Sequence, residues 1–144
     1  MESNRFFYKI YKALTFLTLF MEKKIFFLEY IITVLAYMSL IFYLSSRAGR
    51  GYSGLDLSLL HVPEYFILAW LWYRMLNALQ GENDTFLKNH ALLVAIICAS
   101  LYGISDEWHQ SFVPGRDASS LDVLYDVIGG SLVSVATKKI SLFF

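Results

Sequence analysis

The stretch Ser105-Asp106-Glu107-Trp108-His109-Gln110-Ser111-Phe112-Val113-Pro114-Gly115-Arg116-Asp117 separates two strongly apolar runs, residues 91–104 and 121–137. Charged and hydrogen-bonding side chains held between such runs mark the boundary of a membrane, where polar groups tend to have a function. The rest of the chain fits that solvent. At 57% hydrophobic and 17% aromatic residues, with a mean hydropathy of +0.51, it is too apolar for an ordinary soluble domain of 144 residues.

Two further apolar segments lie upstream, residues 25–44 and 60–79. Each of the four runs is close to the length that crosses a hydrocarbon core of about 30 Å. They are continuously apolar, without the ten-residue alternation of a transmembrane barrel. The expected fold is an all-α membrane protein: a bundle of four transmembrane helices preceded by an amphipathic interfacial helix. The third and fourth runs are short or interrupted, so their helices should extend into the polar flanks; a partly re-entrant segment is the alternative.

Residues 1–24 form the separate N-terminal segment and residues 25–144 the membrane domain. Phe6, Ile10, Leu14, Leu17 and Met21 fall on one helical stripe with Lys9 and Lys12 away from it, the pattern of a helix lying on the inner leaflet. A fifth span is the competing reading, because Thr15, Phe16 and Leu19 widen the apolar face.

Charge placement sets the orientation. Nine Lys and Arg residues (Arg5, Lys9, Lys12, Lys23, Lys24, Arg74, Lys88, Lys138 and Lys139) lie on the side of both termini, against Arg47, Arg50 and Arg116 on the other. Both termini are therefore expected in the cytoplasm. Acidic residues divide the opposite way, with Asp56, Glu64, Asp106, Glu107, Asp117, Asp122 and Asp126 outside.

Those outer acids sit at helix ends. The second span opens His61-Val62-Pro63-Glu64-Tyr65, and proline is tolerated in a first turn; a helix starting at His61 sets His61 and Glu64 on one face. Asp106 or Glu107 with Gln110, and Asp122 with Asp126, repeat the three-to-four spacing. The Asp122 face continues to Gly130 and Ser134, small residues that let helices approach closely. Carboxylates gathered this way repel one another, and Arg116, Arg47, Arg50 and the histidines are the cations at hand. Arg116 suits either a carboxylate clamp or an anionic head group.

Ser45-Ser46 after the first span, His61-x-x-Glu64-Tyr65, Asp106-Glu107-x-x-Gln110 with Pro114-Gly115-Arg116, and Asp122 with Gly129 together resemble the VanZ-like family over roughly residues 25–137. Asp126 departs from the pattern, which commonly has Asn there. The resemblance implies a small multi-pass cell-envelope protein, with a link to glycopeptide and in particular teicoplanin resistance.

Two functions follow. One is a factor that binds an outer-leaflet lipid head group, a glycopeptide drug or a partner membrane protein, with Gln110, Arg116, Asp122, Asp126, Ser45 and Ser46 as ligand-binding candidates. The other is a membrane-embedded enzyme acting on a lipid-linked or phosphorylated envelope precursor, with Glu64, Asp106, Glu107 and His61 as acid–base candidates. A salt-bridged cap that merely fixes the bundle is the structural alternative. No cofactor is expected; a divalent cation on His61, Glu64, Glu107 and the aspartates is a minor alternative, because the spacing matches no dedicated metal motif. The Gly49-Arg50-Gly51-Tyr52-Ser53-Gly54 run copies a dinucleotide-binding pattern but follows an apolar span, so it is expected to be an outer loop. His109 and Trp108 are expected on the loop or at the interface. Single Cys98 excludes an intrachain disulfide, and no basic stripe suggests nucleic-acid binding.

Overall fold

The computed structural model describes residues 2–47, 57–79 and 84–141, and over them the chain is helical, with no strand. Four helices follow in order: α1 (Glu2–Ser45), α2 (His61–Leu79), α3 (Thr85–Gln110) and α4 (Ser120–Ser141), with a 3-10 turn, Leu57–Leu60, leading into α2. The Gly49–Gly54 pattern, Arg50, Asp56 and Glu82 lie outside the described residues.

The helix limits follow local chemistry. Asp84 caps α3 through a hydrogen bond from the Leu87 N–H at 2.9 Å, satisfying one of the orphan donors of a first turn. At its other end α3 runs past the apolar segment to Gln110 without a break. The polar residues 105–110, His109 and Trp108 among them, are thus its last turns rather than a loop, and the re-entrant alternative finds no break to support it. The chain then reverses through Pro114-Gly115, where Gly115 takes φ 77°, a left-handed conformation that only glycine adopts without strain. The Ser119 hydroxyl accepts from the Leu121 N–H at 3.2 Å and opens α4.

Among the described residues three helices are long and apolar enough to cross a membrane: α1 over Phe7–Ser45, α3 over Asn89–Gln110 and α4 over Ser120–Lys139. The fourth expected span, α2, is not among them, because His61, Glu64, Arg74 and Asn77 dilute its apolar run. Its 19 residues still make a rod of about 28 Å.

No break separates the expected N-terminal helix from the first span: α1 is one helix of 44 residues, about 66 Å long. From Arg5 to Glu22 every residue whose side chain is described is exposed, Ile10, Leu14, Leu17 and Met21 of the apolar stripe included.

The core lies around α2. Tyr65, Leu68 and Ala69 are fully buried there, together with Ile41 of α1, Ala99 of α3 and Val133 of α4. Small residues set the spacing. Ala91, Ala95, Ala99 and Gly103 recur every fourth residue along α3 and are all buried. On α4, a Cβ at Gly129 would collide with the Val62 carbonyl, whereas one at Gly130 would make ordinary contacts with Ala69 at 3.7 Å and Ala99 at 3.9 Å. Close approach of this kind stabilises membrane helices through dispersion, since lipid offers no hydrophobic driving force between them.

Candidate functional site

Alternating up-and-down helices bring the C-terminal ends of α1 and α3 to the same end of the bundle as the N-terminal ends of α2 and α4. The seam of small residues on α3 ends one step later on Glu107, and the α4 face below Asp122 and Asp126 carries Gly129 and Gly130. The packing that closes the core therefore also gathers the acids.

Asp106, Glu107 and Gln110 are each about 95% buried. The Ser45 hydroxyl donates to Asp106 Oδ1 at 2.6 Å, tying α1 to α3. Gln110 Nε2 donates to Asp106 Oδ2 at 2.8 Å and to Glu107 Oε1 at 3.1 Å, so one amide bridges two carboxylates that would otherwise repel. The Ser119 N–H holds Glu107 Oε2 at 2.8 Å. On the facing side, His61 Nδ1 lies 2.8 Å from Asp126 Oδ1, the one ion pair among the described residues when the imidazole is protonated. Asp126 is fully buried, and its second oxygen rests against Gly103, where any Cβ would collide with it.

Glu64 is half-buried and feels the charges of His61, Asp106, Asp126 and Arg116. Donor atoms of His61, Glu107 and Asp122 lie within 4.8 Å of one another. Nine of the ten residues expected at the site are therefore joined in one polar cluster, by hydrogen bonds, donor proximity or charge. Ser46 stands at its edge, hydrogen-bonded to His109 Nε2 at 2.9 Å, and the His109 ring stacks on Phe42 with centroids 4.5 Å apart.

Arg116 departs from expectation. Its guanidinium donates from one terminal nitrogen to the Leu44 carbonyl at 3.0 Å and from Nε to the Arg47 carbonyl at 3.3 Å, so it caps α1 instead of clamping a carboxylate. The cause is geometric: the last carbonyls of a helix have no intrahelical donors, and a guanidinium beside a helix C-terminus also meets the favourable end of its dipole.

The cluster holds five carboxylates, and not all their oxygens are answered. Asp122 Oδ1 and Asp126 Oδ2 are buried without a hydrogen-bond partner, as is the Tyr65 hydroxyl. Buried polar atoms are nearly always paired, which makes these three unusual; the Trp72 indole N–H, further along α2, is a fourth.

Sequence reasoning missed Ser119, whose backbone positions Glu107, and Gly103, which makes room for Asp126. Ser119 left no sequence signal, because a backbone donor is present at nearly every residue. Gly103 did: it closes the four-residue repeat from Ala91. Tyr37 and Tyr102, which donate to the Glu64 and Met38 carbonyls at 3.3 Å and 2.6 Å, also escaped notice.

No family model, curated protein or solved structure matches this chain. The VanZ-like resemblance rests on the sequence motifs alone.

Proposed function

We propose that the chain is a multi-pass cell-envelope membrane protein that uses its acidic, histidine-bearing pocket to bind a lipid head group or a glycopeptide at the outer surface. In this reading α2 is a fourth span, the N-terminal part of α1 contacts the inner leaflet, and both termini are cytoplasmic. The observation that carries it is the pair of buried carboxylate oxygens without partners, Asp122 Oδ1 and Asp126 Oδ2. Leaving such groups unpaired is costly, and a ligand bearing donors or positive charge removes the cost. The lysine and arginine asymmetry supports an outward-facing pocket, and the VanZ-like motifs favour teicoplanin as the first drug to try.

Binding of teicoplanin, and of vesicles carrying a lipid-linked envelope precursor, to the purified full chain tests this. Wild type should bind one of the two, and Asp122→Asn should weaken that binding at least tenfold. Wild-type protein that binds neither defeats the reading.

A second reading has its own observation. The 2.8 Å His61–Asp126 contact orients an imidazole in the way a general base requires, with Glu64 or Glu107 as the acid. Turnover of a precursor by the purified protein, lost in Glu107→Asp while the chain stays folded and inserted, would select catalysis over binding.

A further inference from the structure

We propose that His61, Glu107 and Asp122 form a binding site for a divalent transition-metal ion, for which zinc is the best-matched probe; the proposal deepens the pocket reading above and rests on it. The three donors come from three helices and lie within 4.8 Å of one another. Around a zinc ion, ligand atoms at about 2.0–2.2 Å from the metal stand roughly 3.4 Å apart. The side chains must therefore draw together by up to about 1.4 Å around such an ion, a movement open to His61 and Asp122, which are only partly buried.

A cluster of acids alone would say little, but three other features point to a cation. Asp122 Oδ1 is buried and has no partner. Asp126, fully buried, holds His61 Nδ1 from behind at 2.8 Å and leaves Nε2 as the ring nitrogen for a metal. That is the carboxylate–histidine arrangement that orients ligating imidazoles. Glu107 is fixed in turn by Gln110 and the Ser119 N–H, yet each of its oxygens keeps a lone pair.

Charge completes the argument. Five carboxylates share this end of the bundle, while the nearby guanidinium of Arg116 makes its hydrogen bonds to α1 carbonyls and reaches Glu64 by its charge alone. A dication relieves their repulsion. An imidazole ligand favours zinc or a similar transition metal over calcium and magnesium, which take oxygen ligands. Three protein ligands leave a coordination position open. A bound cation also reverses the local charge logic, so an acidic pocket that would repel a phosphate becomes able to hold one.

The test uses the full chain in detergent micelles, stripped with a chelator, desalted and titrated calorimetrically with zinc, then magnesium and calcium, with no lipid or drug present. One equivalent of zinc should bind to wild type, undisturbed by magnesium or calcium at the same concentration. Asp122→Asn and Glu107→Gln should each weaken binding at least ~10-fold, and Asp126→Asn by ~10–100-fold through its hold on His61. His90→Ala, on an exposed ring of the first turns of α3, should leave it unchanged. To keep the test independent of how the variants fold, the zinc absorption-edge spectrum of wild type supplies a second readout and should show an imidazole nitrogen beside carboxylate oxygens. Failure of wild type to retain zinc, binding untouched in the Asp122→Asn/Glu107→Gln pair, or a shell without imidazole overturns the proposal. Such failure leaves head-group binding by the stripped protein as a separate measurement, on which the pocket reading stands or falls by itself.

Discussion

Helices α1 and α2 invert the usual link between apolarity and burial. The most apolar stretch, in α1, is only 11% buried inside the protein, whereas α2, interrupted by His61, Glu64 and Arg74, supplies Tyr65, Leu68, Ala69, Met75 and Leu76 to the core. The difference shows that hydropathy in this chain records the solvent a helix faces, while packing is set by small side chains and shape. In α1 the apolar residues look outward, as suits lipid. In α2 they meet Gly129, Gly130 and the alanines of α3.

The comparison breaks first at Gly129. Gly129→Ala drives a methyl group into the Val62 carbonyl and should cost about 3 kcal/mol by overpacking, read as a loss of thermal stability in micelles by helical circular dichroism. Gly130→Ala, one residue on, has room and should be neutral or gain up to about 1 kcal/mol from helix propensity. Equal losses at the two positions would mean that α4 does not approach α2 as described.

Ser45→Ala comes next. It removes the hydroxyl that answers Asp106 Oδ1, and a buried carboxylate left short of a donor should cost about 1–3 kcal/mol. Unfolding measured beside Ser46→Ala, whose exposed hydroxyl bonds the Phe42 carbonyl and His109, separates the buried contact from the loss of an exposed serine hydroxyl; the Ser46 change should cost less.

Arg116→Ala tests the tie between α1 and the loop after α3. Loss of two hydrogen bonds on a partly exposed guanidinium should cost about 1 kcal/mol, and Arg116→Lys should not restore it, since a lysine lacks the planar fork that spans two carbonyls. Faster amide exchange at the C-terminal turn of α1 is the accompanying signal.

The smallest effect is expected from deleting residues 2–21. The side chains described there, from Arg5 to Met21, are exposed, so the stability of the remaining bundle should change by less than about 0.5 kcal/mol. Association with membrane vesicles should nevertheless fall. A large loss of bundle stability would show that α1 packs beyond the first residue with a less exposed side chain, Phe27.

Much of the site was legible because its residues sit at helix ends with three-to-four spacing. His61 and Glu64 needed only the helix to begin at His61, as it does; Asp122 and Asp126 likewise share one face of α4. The pairings were not legible. Asp106 and Gln110 advertised each other, but nothing local joins Ser45 to Asp106 or His61 to Asp126, which lie 65 residues apart. The Arg116 contacts to the α1 carbonyls were not legible for the same reason: its chemistry suits any anion or carbonyl, and only position selects among them. The Ala91–Gly103 repeat was written in the sequence and would have named α3 as the close-packed helix.

By itself the sequence determined that the chain is helical and apolar, that its polar groups collect at helix ends, and that charge divides unevenly along it, since each of these is a sum over neighbouring residues. The tertiary structure decided that α1 runs unbroken, that α2 is the centre, and which carboxylate meets which donor. Those outcomes depend on how closely two helices approach and at what height they cross. Single atoms set that geometry, such as the missing Cβ of Gly103 beside Asp126 and of Gly129 beside Val62.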